Sequence, residues 1–396
     1  MEHLLPRIKT LAAEAAADTV ALRQHLHAHP ELSFEEFQTA AFVREQLEKL
    51  GLQPQTVATT GLVVLIEGQN PHKRTVALRA DMDALPIQEK NDVAYRSQNP
   101  GVMHACGHDV HTSSLLGTAR ILSELRTEFE GTVKLIFQPG EELLPGGASL
   151  MIQEGVLENP APASILGQHV FPLLPAGKVG LRAGRYMAST DELYLTVRGK
   201  GGHGAMPEQN LDPVLVAAHI IVAAQQIVSR RANPKLPSVL SFGKVIANGA
   251  TNVIPNEVYI EGTFRTLNEA WREEAHGHLR KLVEGLAESM GAVCELEIRR
   301  GYPYLENEPA LTARTRAAAE EYLGADNVVE LDQWMAAEDF AYYSQVTNAC
   351  FYRLGTRAAD GRFAASVHTP TFDIDSKALE VGPGLMAWLT LRELAQ

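Results

Sequence analysis

The densest group of chemically capable side chains lies in one short stretch, residues 103–111, with the sequence MHACGHDVH. It holds a thiol, three imidazoles and a carboxylate. Cys106 and His108 stand two apart with a glycine between them, a spacing at which a turn can aim both side chains at one ion. A thiolate combined with an imidazole suits zinc or another borderline transition metal. The alternative is the start of a helix, with Asp109 as its cap and the histidines in solvent.

Two adjacent carboxylates, Glu141 and Glu142, follow a predicted strand that Pro139 and Gly140 bring to an end. Neighbouring residues point apart, so we expect the two to differ in role. One can bind a metal while the other faces the substrate as a general acid/base. A Glu-Glu pair by itself is more often solvated surface, so its weight comes from its position beside the other candidates.

Three further sites complete the candidate set. Asp81 and Asp83 stand two apart at the end of a predicted strand, so both carboxylates point to the same side. Carboxylates gathered at a sheet end need protons or cations to coexist, which favours a metal site or its surroundings; the alternative is an Asp-rich turn before Pro86. His169 and His368 are isolated histidines, which more often have a structural role than a ligand role.

An alternation of strands and helices positions these residues. The pattern predicts helices over 7–28, 34–50, 109–125, 148–154 and 376–394, and strands over 62–67, 75–82, 132–138 and 164–169. Such alternation implies an α/β fold with a mostly parallel sheet and helices on both faces, and ligands of such sheets collect at the carboxyl ends of the strands. Ser33 with Glu36 predicts a capping box for the second helix, and Gly51 predicts its C-terminal end.

From about Asp191 the pattern changes to alternating polar and apolar residues, as in a sheet with one solvated face. Strands at 191–198, 239–246, 257–266 and 293–298 with helices at 213–229 and 269–290 give the order βαββαβ, the ferredoxin-like unit. We therefore predict an inserted domain over residues 188–300, and a catalytic domain made of residues 1–187 and 301–396.

Composition narrows the class of protein. The 396 residues exceed the usual size of one core, so two domains are expected. A formal net charge of -13 disfavours nucleic acid and anionic membranes as partners. Three scattered cysteines predict no disulfide framework. The first residues carry charges where a signal peptide would be apolar, and no apolar run approaches ~18 residues, so we expect a cytoplasmic protein.

Several familiar catalytic motifs are missing. The sequence contains no H-E-x-x-H, no G-x-S-x-G and no Walker phosphate loop. Residues 199–204, GKGGHG, match the dinucleotide-binding pattern G-x-G-x-x-G. The match is expected to be false, because the preceding strand alternates in polarity, Pro207 interrupts the region and no acidic residue follows at ~20 positions.

Eight short motifs occur in order along nearly the whole chain: HAHPEL (27–32), RADMDALP (79–86), CGHDVH (106–111), QPGEE (138–142), GGHGAMP (201–207), TNVIP (251–255), EDF (338–340) and HTP (368–370). Together they resemble the amidohydrolase branch of the di-metal aminoacylase and carboxypeptidase family. That branch includes hippurate hydrolases, bacterial N-acyl-amino-acid amidohydrolases and plant auxin-conjugate hydrolases.

The resemblance implies two divalent ions per subunit, zinc or manganese first and cobalt or nickel as alternatives. It implies that Glu141 is the general base and that Asp83 orients the site from beside the ligands. Where this chain has Asp81, the wider family normally has a histidine, and this branch recruits a cysteine thiolate instead. Which ligand bridges the ions, and whether Asp81 binds metal, stay open. The implied metal ligands are Cys106, His108, Glu142, His169 and His368.

The resemblance further implies that the inserted domain is a lid and dimerisation module in a homodimer or higher oligomer. His203 would stabilise the oxyanion, in its own or a partner subunit, and Asn252 and Arg265 would contact a substrate carboxylate. The expected substrate is an N-acyl amino acid, with short peptides as the alternative. Two rival classes are a thiol hydrolase with Cys106 as nucleophile and a non-catalytic binding protein on the same scaffold.

Overall fold

A computed structural model describes residues 3–396, which divide into two units. The first unit contains the chain up to Gly184 together with Glu306–Asp332 and Asp339–Gln396. The second unit contains Arg185–Leu305 and Gln333–Glu338. Every residue of the predicted metal site belongs to the first unit.

The helices and strands follow one another in a mostly alternating order. In chain order they are α1 Leu4–Ala28, α2 Phe37–Lys49, β1 Gln55–Val57, β2 Gly61–Glu67, β3 Thr75–Asp81, α3 His108–Glu124, β4 Thr132–Gln138, α4 Gly147–Gln153, β5 Ser164–Pro175, β6 Val179–Leu181, β7 Gly184–Met187, β8 Asp191–Arg198, β9 Gly202–His203, α5 Pro213–Gln226, β10 Ser238–Ile246, β11 Val253–Ile254, β12 Glu257–Thr266, α6 Glu269–Ser289, β13 Val293–Arg300, β14 Leu305–Asn307, α7 Pro309–Leu323, β15 Val328–Glu330, α8 Ala341–Val346, β16 Ala349–Arg357 and α9 Ala378–Leu394.

The first unit is built on an eight-stranded sheet with the order β1-β2-β4-β3-β5-β16-β6-β15. Its central strands β4, β3, β5 and β16 run parallel, whereas β1, β2 and the β16–β6 junction pair antiparallel. The predicted α/β class with a mostly parallel sheet is therefore confirmed. All seven residues of β3 and of β4 are buried, which explains why their sequences are nearly continuous apolar runs. Helices α3 and α9 contact β3, and both contact α1.

Two sequence predictions near the site need correction. Helix α2 begins at Phe37 instead of Phe34, because Phe34 has a positive φ of 65° that a helix does not allow. The predicted capping box is wrong, since Ser33 donates to the Asp83 carboxylate and not to the helix. The helix end is as predicted: Gly51, with φ 75°, follows α2, and the amide of Leu52 bonds back to Leu47.

The second unit contains a four-stranded antiparallel sheet with the order β10-β12-β8-β13. With α5 after β8 and α6 after β12, the element order is βαββαβ, and the two central strands are its first and third. One core joins the inward residues of this sheet to α5 and α6. The glycine-rich stretch at residues 199–204 forms no strand-to-helix phosphate loop, because β9 pairs with β11 there.

One stretch, Pro213–Arg231, is the single helical segment among residues 3–396 that is long and apolar enough to cross a membrane. Buried core helices of soluble proteins often have the same length and apolar composition. Val216, Ile220 and Ala224 of this helix are buried in the core of the second unit.

Because β3 is buried, we expect truncation of a leucine in this strand to destabilise the protein much more than truncation of an exposed leucine of the first unit. Leu78→Ala should lower the free energy of unfolding by about 2–5 kcal/mol, because Leu78 is fully buried and its truncation leaves a cavity. Leu173→Ala is the matched control, since Leu173 is 65% exposed and should change stability by less than about 0.5 kcal/mol. Urea denaturation measures both. Equal losses would contradict the described packing.

Candidate metal centre

Five donor side chains from four separate segments converge in the first unit. Cys106 lies in the loop before α3, and His108 is the first residue of that helix. Glu142 follows β4 and His368 follows β16. His169 lies within β5, which continues to Pro175, so the prediction that it ends a strand is wrong. It nevertheless lies level with the end of β3, because Arg79 pairs with Gly167 two residues earlier.

Gly107 allows Cys106 and His108 to face the same space. Its φ of 88° is left-handed, and a Cβ at this position would lie 2.5 Å from Cγ2 of Val170. A side chain is therefore excluded both by the backbone conformation and by β5. The C-G-H spacing thus depends on its glycine, and the chain turns directly from the thiol into the helix.

The donor atoms form two groups that share Cys106. One group is Cys106, His108 and His169, and the other is Cys106, Glu142 and His368; within each, the donor atoms lie within 4.8 Å of one another. Cys106 Sγ is 3.4 Å from His169 Nε2. Two ligands bonded at about 2.3 and 2.0 Å to a tetrahedral ion would lie roughly 3.5 Å apart, so this spacing suits a common ion.

Hydrogen bonding leaves the correct histidine atoms available for metal. His108 Nδ1 lies 3.1 Å from Asp83 Oδ1, and His169 Nδ1 lies 2.8 Å from the carbonyl oxygen of Val170. Each Nδ1 is therefore a protonated nitrogen, and Nε2 is the atom left to bind an ion. His108 Nε2 and Glu142 Oε1 are buried and make no hydrogen bond, although His368 Nε2 lies 3.1 Å from Glu142 Oε1 as a possible ion-pair partner. Buried polar atoms without partners are costly, and a shared cation would satisfy both.

The electrostatics of the site favour positive charge. Burial by itself would lower the pKa of His108, but the carboxylates of Asp81 and Asp83 raise it to about 10. Burial, followed by the nearby Glu142 and Glu141 carboxylates, raises the pKa of the Cys106 thiol well above its usual value. Without metal, this position therefore holds an imidazolium and a neutral thiol. A divalent cation would replace that positive charge and stabilise the thiolate.

Asp83 connects three segments of the site. Beyond His108, its Oδ2 accepts from the Ser33 hydroxyl at 2.6 Å and from the backbone amide of Glu142 at 2.9 Å. Burial opposes its charge, but the bond from His108 and these other donors hold its pKa below the usual range. The carboxylate therefore stays ionised and fixes His108 and Glu142 relative to each other.

In a third group of nearby donors, Asp81, His108 and His111, the polar atoms of Asp81 and His111 are already hydrogen bonded. Asp81 Oδ1 lies 2.5 Å from His111 Nδ1, and Oδ2 accepts from Arg79 Nη1 at 2.5 Å. His111 Nε2 accepts the amide of Val170 at 2.9 Å, so its Nδ1 must carry the proton. A metal bound by Asp81 would compete with Arg79 and His111 for the same two oxygens. We therefore interpret Asp81 and His111 as supports for the strands that carry the donors.

A buried glutamate, Glu36, holds the loop that carries Glu141 and Glu142 through a hydrogen bond to its backbone. Glu36 Oε1 accepts the amide of Gly140 at 2.8 Å and that of Phe34 at 2.9 Å, and Oε2 accepts the Thr60 hydroxyl. Burial, and then the charge of Asp83, raise the pKa of Glu36 to about 7. Gly140 has φ 57°, and a Cβ there would lie 2.3 Å from the Phe34 ring.

The three other predicted residues belong to the second unit. His203 and Asn252 are neighbours, since β9 pairs with β11 and the amide of Gly204 donates to the Asn252 carbonyl. Both side chains are exposed. Arg265 lies apart from them on β12, where its Nη1 donates to the carbonyl of Met335 at 3.2 Å. Their part in any reaction stays a prediction.

The alternative of a capped helix with solvated histidines does not describe residues 103–111, because His104, His108 and His111 are all buried. Sequence reasoning gave no role to Arg79, which is fully buried and bonded to Asp81. One signal was present: Arg79 stands two residues before Asp81 in a strand, so both side chains share a face. A charged residue in an otherwise apolar buried strand requires such a partner.

A mostly parallel α/β sheet with a cluster of thiol, imidazole and carboxylate donors defines a metallohydrolase-like scaffold. The sequence pattern of Peptidase family M20/M25/M40 matches residues 77–389. The chain therefore belongs to this family, as the motifs predicted.

Individual proteins show the same relationship. The chain is 46% identical over 296 residues to an N-acyl-L-amino acid amidohydrolase of Geobacillus stearothermophilus, covering 74% of this chain and 79% of that protein. It is 37% identical to an N-acetylcysteine deacetylase of Bacillus subtilis, covering 94% and 96%. A crystal structure of a dinuclear metal binding peptidase from the M20 family, also from Bacillus subtilis, superposes with a TM-score of 0.83 at 34% identity, covering 97% of this chain and 99% of that one.

Metal uptake by the metal-free protein should release protons. Because the pKa of His108 is raised to about 10 and that of Cys106 is also raised, both are protonated near neutral pH and must lose a proton to ligate. Roughly two protons should leave near pH 7, and affinity should fall as pH falls, since protons compete with the ion. Calorimetric zinc titration in buffers of different ionisation enthalpy measures this.

A pair of cysteine variants controls that titration. Cys106→Ser should release about one proton fewer and bind more weakly, because a hydroxyl does not ionise in this range. Cys350→Ser should behave like the unmodified protein, since Cys350 is buried but belongs to neither donor group. Uptake without proton release would contradict the described protonation states.

Proposed function

We propose that the protein is a metal-dependent amidohydrolase that cleaves N-acyl amino acids into a carboxylic acid and a free amino acid. The observation that carries the proposal is the pair of donor groups sharing Cys106, with the Glu141 carboxylate beside them. His108 Nε2 is 3.9 Å from Glu141 Oε2 and 4.0 Å from Glu142 Oε1. Short peptides are the alternative substrates.

Cys106, His108 and His169 would hold one ion, and Cys106, Glu142 and His368 the other. The dinuclear site named for the related Bacillus subtilis peptidase supports two ions. When bound, two divalent ions lower the pKa of a water and polarise the scissile carbonyl. Zinc and manganese are the first candidates for this ligand set, with cobalt and nickel as alternatives.

Glu141 is the proposed general base. It takes the proton from the attacking water and later delivers it to the departing amine. Its neighbour Glu142 faces His368, with Oε1 3.1 Å from His368 Nε2, so the two adjacent carboxylates have different surroundings. Asp83 has a positioning role, because it contacts His108 and the Glu142 amide.

An N-acyl amino acid carries a carboxylate, which an acidic protein needs local cations to bind. Arg265 is half-buried and, among residues 3–396, is in no ion pair that would neutralise it; burial lowers its pKa. We assign it to the substrate carboxylate, because a guanidinium can bind a carboxylate bidentately. Asn252 is a second proposed carboxylate contact and, because it lies apart from Arg265 within one chain, would serve the site of a partner subunit. His203 is assigned to the oxyanion. The substrate classes named for the two bacterial relatives support this chemistry.

The rival classes fit the site less well. A nucleophilic thiol requires a depressed pKa, whereas burial, followed by the carboxylates around Cys106, raises the pKa of this thiol. A binding protein without activity would not need a carboxylate such as Glu141 beside intact donor groups. A cytoplasmic location remains our prediction from the sequence.

The second unit offers a surface for a homodimer. Its helix α5 exposes Leu215 and Val222, and its edge strand β10 exposes Val245 and Ile246. β10 pairs on only one side, so its other side has free backbone donors and acceptors. A second copy of the chain would cover these apolar side chains and this edge. The family resemblance predicts dimerisation through this domain, and the choice of this surface is our proposal.

Glu141→Gln should remove most hydrolysis while leaving metal content unchanged, because the amide cannot take a proton. The expected loss is at least about 100-fold, in line with general acid–base catalysis. Turnover is measured on a panel of acetyl, benzoyl and indolyl-acyl amino acids, with chelated protein reconstituted with each metal. Activity that survives chelation, or a Glu141→Gln variant with near-normal turnover, would refute the proposal.

Val222→Glu should dissociate the dimer, since it places a charge at the centre of the exposed apolar face of α5. Val293→Glu is the matched control, because Val293 is also an exposed valine of the second unit but lies on β13, the opposite edge of its sheet. Light scattering after size exclusion measures the mass. A monomeric unmodified protein, or dissociation by both variants, would argue against this interface.

A further inference from the structure

Asp339 is a fully buried carboxylate next to the loop that carries Glu141. Its Oδ1 accepts from Arg79 Nη2 at 2.7 Å, and its Oδ2 accepts from the amide of Ala148 at 2.9 Å. Gln138 Nε2 lies 2.8 Å from both oxygens. Gln138 and Ala148 flank the Glu141 loop at its two ends, so one carboxylate fixes both ends of the loop and ties them to the centre of the sheet.

The backbone of the same residue reaches the carboxylate of Glu141. The amide nitrogen of Asp339 donates to Glu141 Oε1 at 3.3 Å, whereas Glu141 Oε2 faces His108 Nε2. One oxygen of Glu141 is thus held by Asp339, and the other is directed at the metal donors. The amide has a fixed position because four hydrogen bonds hold the side chain of its own residue.

We infer that Asp339 is a positioning residue for the general base: its anchored backbone amide holds the Glu141 carboxylate in the orientation that proton transfer requires. The inference rests on the proposed function, in which Glu141 is that base. It assigns Asp339 no contact with substrate or metal.

The size of the effect follows from the demands of proton transfer. A displacement of about 1 Å at a reacting group can cost roughly 100-fold in rate. Asp339→Asn keeps the shape of the side chain but removes its charge and places an amide nitrogen against one of its donors, either Arg79 Nη2 or the Ala148 amide. The loop ends then lose part of their anchor, and the amide of residue 339 is no longer fixed. We expect kcat to fall about 10- to 100-fold, with KM and metal content within about twofold of the unmodified protein.

A double-mutant cycle separates positioning from a general structural role. Asp339→Asn, Glu141→Gln and the double variant are compared as metal-loaded full-length proteins, using the N-acyl amino acid of the acetyl and benzoyl series that the unmodified protein cleaves fastest. If Asp339 acts through Glu141, its substitution adds no further loss in the Glu141→Gln background. If Asp339 only supports the fold, the same fractional loss appears in both backgrounds, and the inference is overturned.

Asp191→Asn is the matched control. Asp191 is also fully buried and paired with an arginine, Arg272, but it lies in the second unit. It should lower thermal stability, while its fractional effect on kcat is small and is the same with and without the Glu141→Gln substitution. A loss in kcat as large as that of Asp339→Asn would overturn the inference.

If Asp339→Asn does not fold, a second variant still tests the inference. Gln138→Leu removes the two contacts from Gln138 to Asp339 and the bond that Gln138 Oε1 accepts from Arg79 Nε, but keeps the pair between Arg79 Nη2 and Asp339, so it should give a smaller loss with the same dependence on Glu141. An equal fractional loss in both backgrounds overturns the inference here too. Near-normal turnover of Glu141→Gln alone would instead mean that the proposed function itself is wrong. If Glu141→Gln is inactive but the fractional losses of the two single substitutions multiply in the double variant, only the role of Asp339 is wrong.

Discussion

The structure of the first unit requires that the negative charge of several buried carboxylates be balanced by positive charge. Asp81, Asp83, Glu141 and Asp339 are all buried within one region, and an isolated buried carboxylate is expensive. Arg79 supplies one fixed positive charge, shared between Asp81 and Asp339. It does not neutralise the whole group, so the remainder requires protons or bound cations. The site is therefore intrinsically a place for positive charge, whichever species supplies it.

This balance also explains the rigidity of the donor set. Asp83 and Asp339 each use two oxygens to hold backbone amides as well as side chains, so the loop after β4 is fixed at several points. His169 and His111 are each fixed in one tautomer by a backbone group of Val170. Preorganisation of this kind means that little reordering accompanies ion binding. This preorganisation requires a set of buried polar contacts that must all be satisfied at the same time.

Periodicity predicted the sheet and the βαββαβ unit, and residue types and spacing marked Cys106, His108 and the neighbouring carboxylates as candidate donors. The full ligand set came from the family resemblance and stays a prediction. The sequence-based predictions failed where a side chain forms its hydrogen bond with a residue distant in sequence. Ser33 and Glu36 match a local capping box, yet Ser33 bonds Asp83 and Glu36 bonds Gly140. Likewise the Arg79–Asp339 contact joins residues 260 positions apart, and no local pattern reveals such a pairing. The strand end expected at His169 was missed because β16 extends the pairing of β5 to Pro175.

The order of the donors along the chain has a consequence for biosynthesis. Cys106, His108, Glu142 and His169 precede the second unit, whereas His368 follows it. The complete donor set is therefore translated only after the second unit, and every newly made molecule passes through a state without its full complement of ions. In the complete, metal-free protein the proton on His108 supplies positive charge beside the surrounding carboxylates. That proton stabilises the buried site until an ion binds.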